Sequence, residues 1–122
     1  MIRFMTVLGV ALVLGGLAHS AGVLRLYATS GVPDANRVLL DVWIAQAQLL
    51  AGGLYIAAAN NARRGLAWRA LAVFGALTIA GFSVTMLPVL AARAPAYLSA
   101  PSLVYTVASA VVAARAVRSA AA

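Results

Sequence analysis

Apolar residues dominate this chain in four long blocks, and polar residues gather in the short stretches between them. The blocks run over residues 4–28, 38–59, 67–92 and 97–117. A bilayer core about 30 Å thick takes about 20 apolar residues in a helix, so each block predicts one membrane-spanning helix. The first connector holds Ser30-Gly31-Val32-Pro33-Asp34, with Asp34 or Asn36 placed to cap the second helix. The second runs Asn60-Asn61-Ala62-Arg63-Arg64-Gly65 and the third Arg93-Ala94-Pro95. Connectors this short make successive helices antiparallel neighbours. The expected fold is all-α: an integral membrane four-helix bundle with short loops, one domain over residues 1–122. Pro88 predicts a kink in the third helix.

The first block admits a second reading. Arg3, the apolar run Phe4 to Leu17, and Ala18-His19-Ser20 before Ala21 have the form of a secretory signal. The apolar run continues through Gly22-Val23-Leu24, which favours a membrane span. Arg3, Val7, Gly9 and Gly15 also match Arg69, Val73, Gly75 and Gly81 at an offset of 66. Spans two and four show no such match, so coincidence among common residues is the simpler account.

Composition agrees with the pattern. Of 122 residues 65% are hydrophobic, and the mean hydropathy is +1.01. Only 9% are charged, where a globular domain carries about a quarter. A water-soluble enzyme, a disordered tail and a disulfide scaffold are all poor fits, the last because cysteine is absent.

The net charge of +7 comes from nine arginines spread over the span ends rather than gathered in a stripe, so no nucleic-acid partner is expected. Arg3, Arg63, Arg64, Arg69, Arg115 and Arg118 fall on one side of the expected bundle. Arg25, Arg37 and Arg93 fall on the other, with both acids, Asp34 and Asp41. Positive residues collect on the cytoplasmic face. The expectation is a multi-pass protein of a bacterial-type cytoplasmic membrane with both termini cytoplasmic. Trp43, Trp68, Tyr27 and Tyr97 suit anchoring at the interfaces, and Trp43 also suits the wall of a pocket.

Small residues offer close helix contact: Gly9, Gly15, Gly16 and Gly22 on span one, Gly52 and Gly53 on span two, Gly75 and Gly81 on span three. Polar residues within the spans are costly and usually face the bundle interior. Counting rise per residue, His19 lies roughly 13 Å below the outer end of its span, Gln48 about 15 Å and Ser83 about 13 Å. Tyr105, Thr106 and Ser109 lie roughly 12 to 18 Å along the fourth span. Such a layer serves either as an interhelical hydrogen-bond network or as the polar floor of a pocket opening outward.

Above it, Arg37, Asp41, Gln48, Gly52 and Tyr55 follow one helical stripe, with Asp41 expected level with Arg25. A salt bridge from Asp41 to Arg25 or Arg37 is one expectation. The other makes Asp41 a general acid or base, with His19 and Gln48 as helpers and Arg37, Arg25, Trp43, Tyr55, Ser83, Tyr105 and Thr106 lining a substrate site.

Several chemistries lack their residues. One histidine and no cysteine give no haem ligation from both faces and no zinc or iron set, so neither metal nor cofactor is expected. Without lysine there is no phosphate loop. Small four-span multidrug exporters depend on a glutamate in their first span, and this chain has none.

Size, four spans, cytoplasmic termini and a glycine-rich first helix, with Asp41-Val42-Trp43 and Ala51-Gly52-Gly53-Leu54-Tyr55 on span two, resemble the DoxX-like and related small four-helix membrane families. The resemblance covers the whole chain by layout. It implies a membrane four-helix bundle and carries no site residue across.

The leading functional expectation is a noncatalytic helix-packing protein in contact with membrane lipid, either an accessory subunit of a larger membrane complex or a homo-oligomer. The alternative is a cofactor-independent intramembrane isomerase, cyclase or epoxide-opening enzyme acting on a lipophilic small molecule. A small-molecule binder or transporter is the third. An apolar cavity converging on Asp41, Gln48 and His19 would favour the second or third, and a filled interior the first.

Overall fold

The computed structural model describes residues 1–93 and 96–119, with side chains placed for 1–84 and 103–119. It is all-helical over these residues: α1 (Ile2–Ser30), α2 (Ala35–Arg63), α3 (Arg69–Arg93) and α4 (Ala96–Arg118). Each helix contains or closely matches one apolar block, extended by a few residues at most ends. Helix α3 continues through Pro88, and the expected kink there, like Tyr97 and the Ala94-Pro95 turn, lies outside the described side chains or residues.

Local chemistry sets the helix ends. Gly31 stops α1 with φ +86, a value that L side chains rarely adopt, and its N–H returns to the Tyr27 carbonyl at 3.0 Å. Asp34 then starts α2, its carboxylate accepting from the Arg37 N–H at 3.1 Å, so Asp34 rather than Asn36 is the cap. Asp34→Ala is expected to lower stability by about 1 kcal/mol, read by thermal unfolding followed by circular dichroism. The second turn begins later than the sequence predicts, because α2 absorbs Asn60 and Asn61. Asn61 makes this favourable by donating its side-chain amide to the Ala67 carbonyl at 2.8 Å, folding the connector back over the helix end. Gly65, at φ +68, turns the chain.

The helices form a ring in chain order. α1 and α2 make the most extensive pair, α2 also packs on α3, α3 on α4, and α4 touches α1. Antiparallel order brings the start of α1, the α2–α3 turn and the end of α4 to one end. There Arg63 donates to Thr6 Oγ1 at 2.8 Å, and Arg69 donates to the Ser119 carbonyl. The buried core (Met5, Leu12, Tyr55, Ala72, Ile79 and Val112 among others) lies mainly in this arginine-rich half.

Glycine decides how closely α1 and α2 approach. A Cβ at Gly9 would fall 2.8 Å from the Gly52 carbonyl oxygen, and one at Gly52 would fall 2.7 Å from that of Gly9. The two backbones therefore touch, and two turns further along α1 Gly16 seats the Leu49 side chain, whose Cγ a Cβ would approach to 2.9 Å. Gly75 accepts the buried Tyr55 ring, which a Cβ would approach to 2.9 Å. Gly22, Gly53 and Gly81 have nothing within 4 Å of a Cβ and are not packing notches.

The outside of the ring is apolar. Val7, Leu14, Leu24, Leu39, Leu50, Phe74, Leu77, Val84, Val104 and Val107 are all exposed. Two helices, α1 and α2, are long and apolar enough to cross a bilayer, and α3 holds a shorter apolar stretch, Arg69–Val84.

Candidate functional site

The Gly9–Gly52 crossing sets the register that builds the polar site. With those residues facing and Gly16 beside Ala45 and Leu49, Asp41 on α2 comes level with His19 on α1. The sequence reading had placed it level with Arg25. Arg25 lies six residues further along α1, about 9 Å beyond, is exposed, and has no ion pair among the described residues.

Asp41 is buried, only 4% exposed. Its Oδ2 accepts from the Tyr27 hydroxyl at 2.6 Å and from Arg37 Nε at 3.2 Å. Its Oδ1 lies 3.7 Å from His19 Nε2, outside hydrogen-bond distance, and that nitrogen is buried without a partner. Arg37 reaches Asp41 across one helical turn while its side chain stays 58% exposed. Desolvation of the carboxylate is thus offset by two donors, one of them charged. Tyr27, read from sequence as an interfacial anchor, is a direct partner. Its hydroxyl bridges α1 to α2, a pairing that spacing along either helix alone does not reveal.

The remaining candidates do not converge on Asp41. Gln48 lies seven residues along α2, about 10 Å deeper. A Cβ at Gly15 would lie 3.2 Å from Gln48 Oε1 and 3.5 Å from the Tyr105 hydroxyl, so α2 and α4 bring polar groups together over a glycine of α1. The sequence reading gave that layer His19 from α1; His19 belongs to the Asp41 cluster instead. Ser83 and Thr106 share a 2.6 Å hydrogen bond between α3 and α4. Tyr55 and Ser109 are buried deeper, with neither hydroxyl in a hydrogen bond. The polar residues therefore fall into four separate sets within the bundle.

Trp43 lies elsewhere. With Gln46, Leu50, Leu77 and Phe82 it lines an apolar groove of about 680 Å³ between α2 and α3, which opens on the outside of the ring. Asp41, Gln48 and His19 are absent from its walls.

No family model matches the chain, and neither curated proteins nor solved structures give a match. The likeness to DoxX-like families accordingly rests on layout.

Proposed function

We propose that this chain is an integral membrane four-helix protein, with both termini cytoplasmic, whose role is to pack against other helices in the bilayer. It does so as an accessory subunit or as a homo-oligomer. The observation that carries this reading is where the empty space lies. The polar sets lie inside the ring, and none of Asp41, His19, Gln48 and Ser83 lines the large apolar groove, which faces outward. The exposed surface of α1 and α2 is what lipid accepts and water does not.

Two measurements test it. Single cysteines at 62 and 94 should label from opposite sides, 94 from outside intact cells and 62 only after permeabilisation. Reversed labelling overturns the orientation. For the packing role, Gly81→Leu would fill the groove at a site where nothing lies within 4 Å of a Cβ. Its assembly in native-membrane nanodiscs should weaken by about tenfold with the helical content unchanged. A wild-type chain that stays monomeric and unaccompanied in those discs overturns the reading.

A second reading has one observation in its favour. His19 Nε2, buried and without a hydrogen bond, stands 3.7 Å from a carboxylate that also holds a tyrosine and an arginine. That set of groups can exchange protons with a lipophilic substrate entering from the bilayer.

A further inference from the structure

The arginine-rich end of the ring carries a pocket of its own. A cavity of about 380 Å³ is lined by Met1, Trp68, Arg115, Arg118 and Ser119, at the meeting of α1, the α2–α3 turn and α4. Arg115 and Arg118 stand one turn apart on the same face of α4, both exposed. Neither has an ion pair among the described residues. The two acidic side chains of the sequence, Asp34 and Asp41, lie at the opposite end of the bundle. Two neighbouring arginines are already committed, Arg63 to Thr6 and Arg69 to the Ser119 carbonyl, and the latter bond steadies the rim.

Beyond the arginine pair the same face of α4 continues as Val111, Val107 and Val104, all exposed. A guanidinium pair beside an indole, with an apolar strip continuing along the same face of the helix, is complementary to an amphiphile. The anion sits at the arginines and the chains lie along the valines. We infer that this pocket binds the phosphate headgroup of an anionic membrane lipid, with Arg115 and Arg118 as its charged contacts and Trp68 as its wall. The valine strip is what favours a lipid over free phosphate. The inference rests on the membrane reading above and adds a ligand class and a site to it.

Trp68 supplies the reporter, since Trp43→Phe leaves it as the single tryptophan. The full chain bearing Trp43→Phe is reconstituted in phosphatidylcholine vesicles containing brominated phosphatidylglycerol or, separately, brominated phosphatidylcholine. Quenching of Trp68 should show a preference for the anionic lipid on the order of tenfold. Arg115→Gln with Arg118→Gln should bring that preference close to one. Arg64→Gln, a charge at the same end outside the pocket, should change it less than about twofold, which separates the pocket from general surface charge. Equal quenching by the two lipids, or a preference that survives the double substitution, overturns the site while leaving the membrane reading in place. Quenching by neither lipid overturns both. Inorganic phosphate added to neutral vesicles should leave Trp68 emission unchanged, and a saturable response to it overturns the lipid assignment in favour of a soluble anion.

Discussion

Gly9→Leu or Gly52→Leu is expected to abolish the folded bundle, and even Gly9→Ala should destabilise it by about 2 to 3 kcal/mol. The reason is geometric. At each position the atom that a Cβ would strike is a backbone carbonyl oxygen, at 2.8 and 2.7 Å, and backbone cannot rotate aside as a side chain can. The helices would have to separate, and the seats of Leu49 against Gly16 and Val13 against Gly52 would open with them. Alanine's better helix propensity returns up to about 1 kcal/mol, too little to compensate. Gly53 is the internal control, one residue away on the same helix, with nothing within 4 Å. Gly53→Ala should be neutral or stabilising by up to about 1 kcal/mol. Unfolding in mixed micelles, followed by circular dichroism, reads both. A matching response from Gly9→Ala and Gly53→Ala would remove the backbone crossing from the account.

Asp41→Ala should cost about 2 to 4 kcal/mol, because it strips the Tyr27 hydroxyl and the His19 ring of the one carboxylate near them. Asp41→Asn should cost less, about 1 to 2 kcal/mol, since an amide oxygen still accepts from Tyr27 and only the charge is lost. Arg37 carries little of that loss. With Arg37 more than half exposed, solvent replaces its partner and the penalty moves to Tyr27 and His19. A double-mutant cycle of Asp41→Asn with Tyr27→Phe should therefore show coupling near 1 kcal/mol, and the cycle with Arg25→Gln none. Coupling to Arg25 instead would mean that the register is wrong. The same Asp41→Asn variant separates the two functional readings. In a packing protein it costs stability alone, whereas in an enzyme it ends turnover while ligand affinity persists.

Much of the architecture is legible in the linear pattern. Four apolar blocks match four helices, since a helix satisfies its own backbone hydrogen bonds and the length of each block is close to that of its helix. Asp34 and Gly31 mark their turn from residue type, since a short acceptor caps a helix start and a glycine tolerates positive φ. That Asp41 and Arg37 would meet also follows from spacing, four residues on one helix.

What depends on a second helix was not legible. Composition marks Gly9, Gly22, Gly52 and Gly53 alike, yet only Gly9 and Gly52 carry the crossing, because contact depends on which face of each helix turns inward. That crossing sets the vertical offset of α1 against α2. The offset then decides that Asp41 lies beside His19 and Tyr27 rather than Arg25, and that Gln48 sits beside Gly15 of α1, away from the carboxylate. Rise per residue measures depth within one helix from its assumed end. A shift of a single turn between neighbours, about 5.4 Å, is enough to exchange every partner. One-dimensional patterning therefore determined the helices and the residues polar enough to matter. The approach of two backbones at a pair of glycines decided which of those residues share a site.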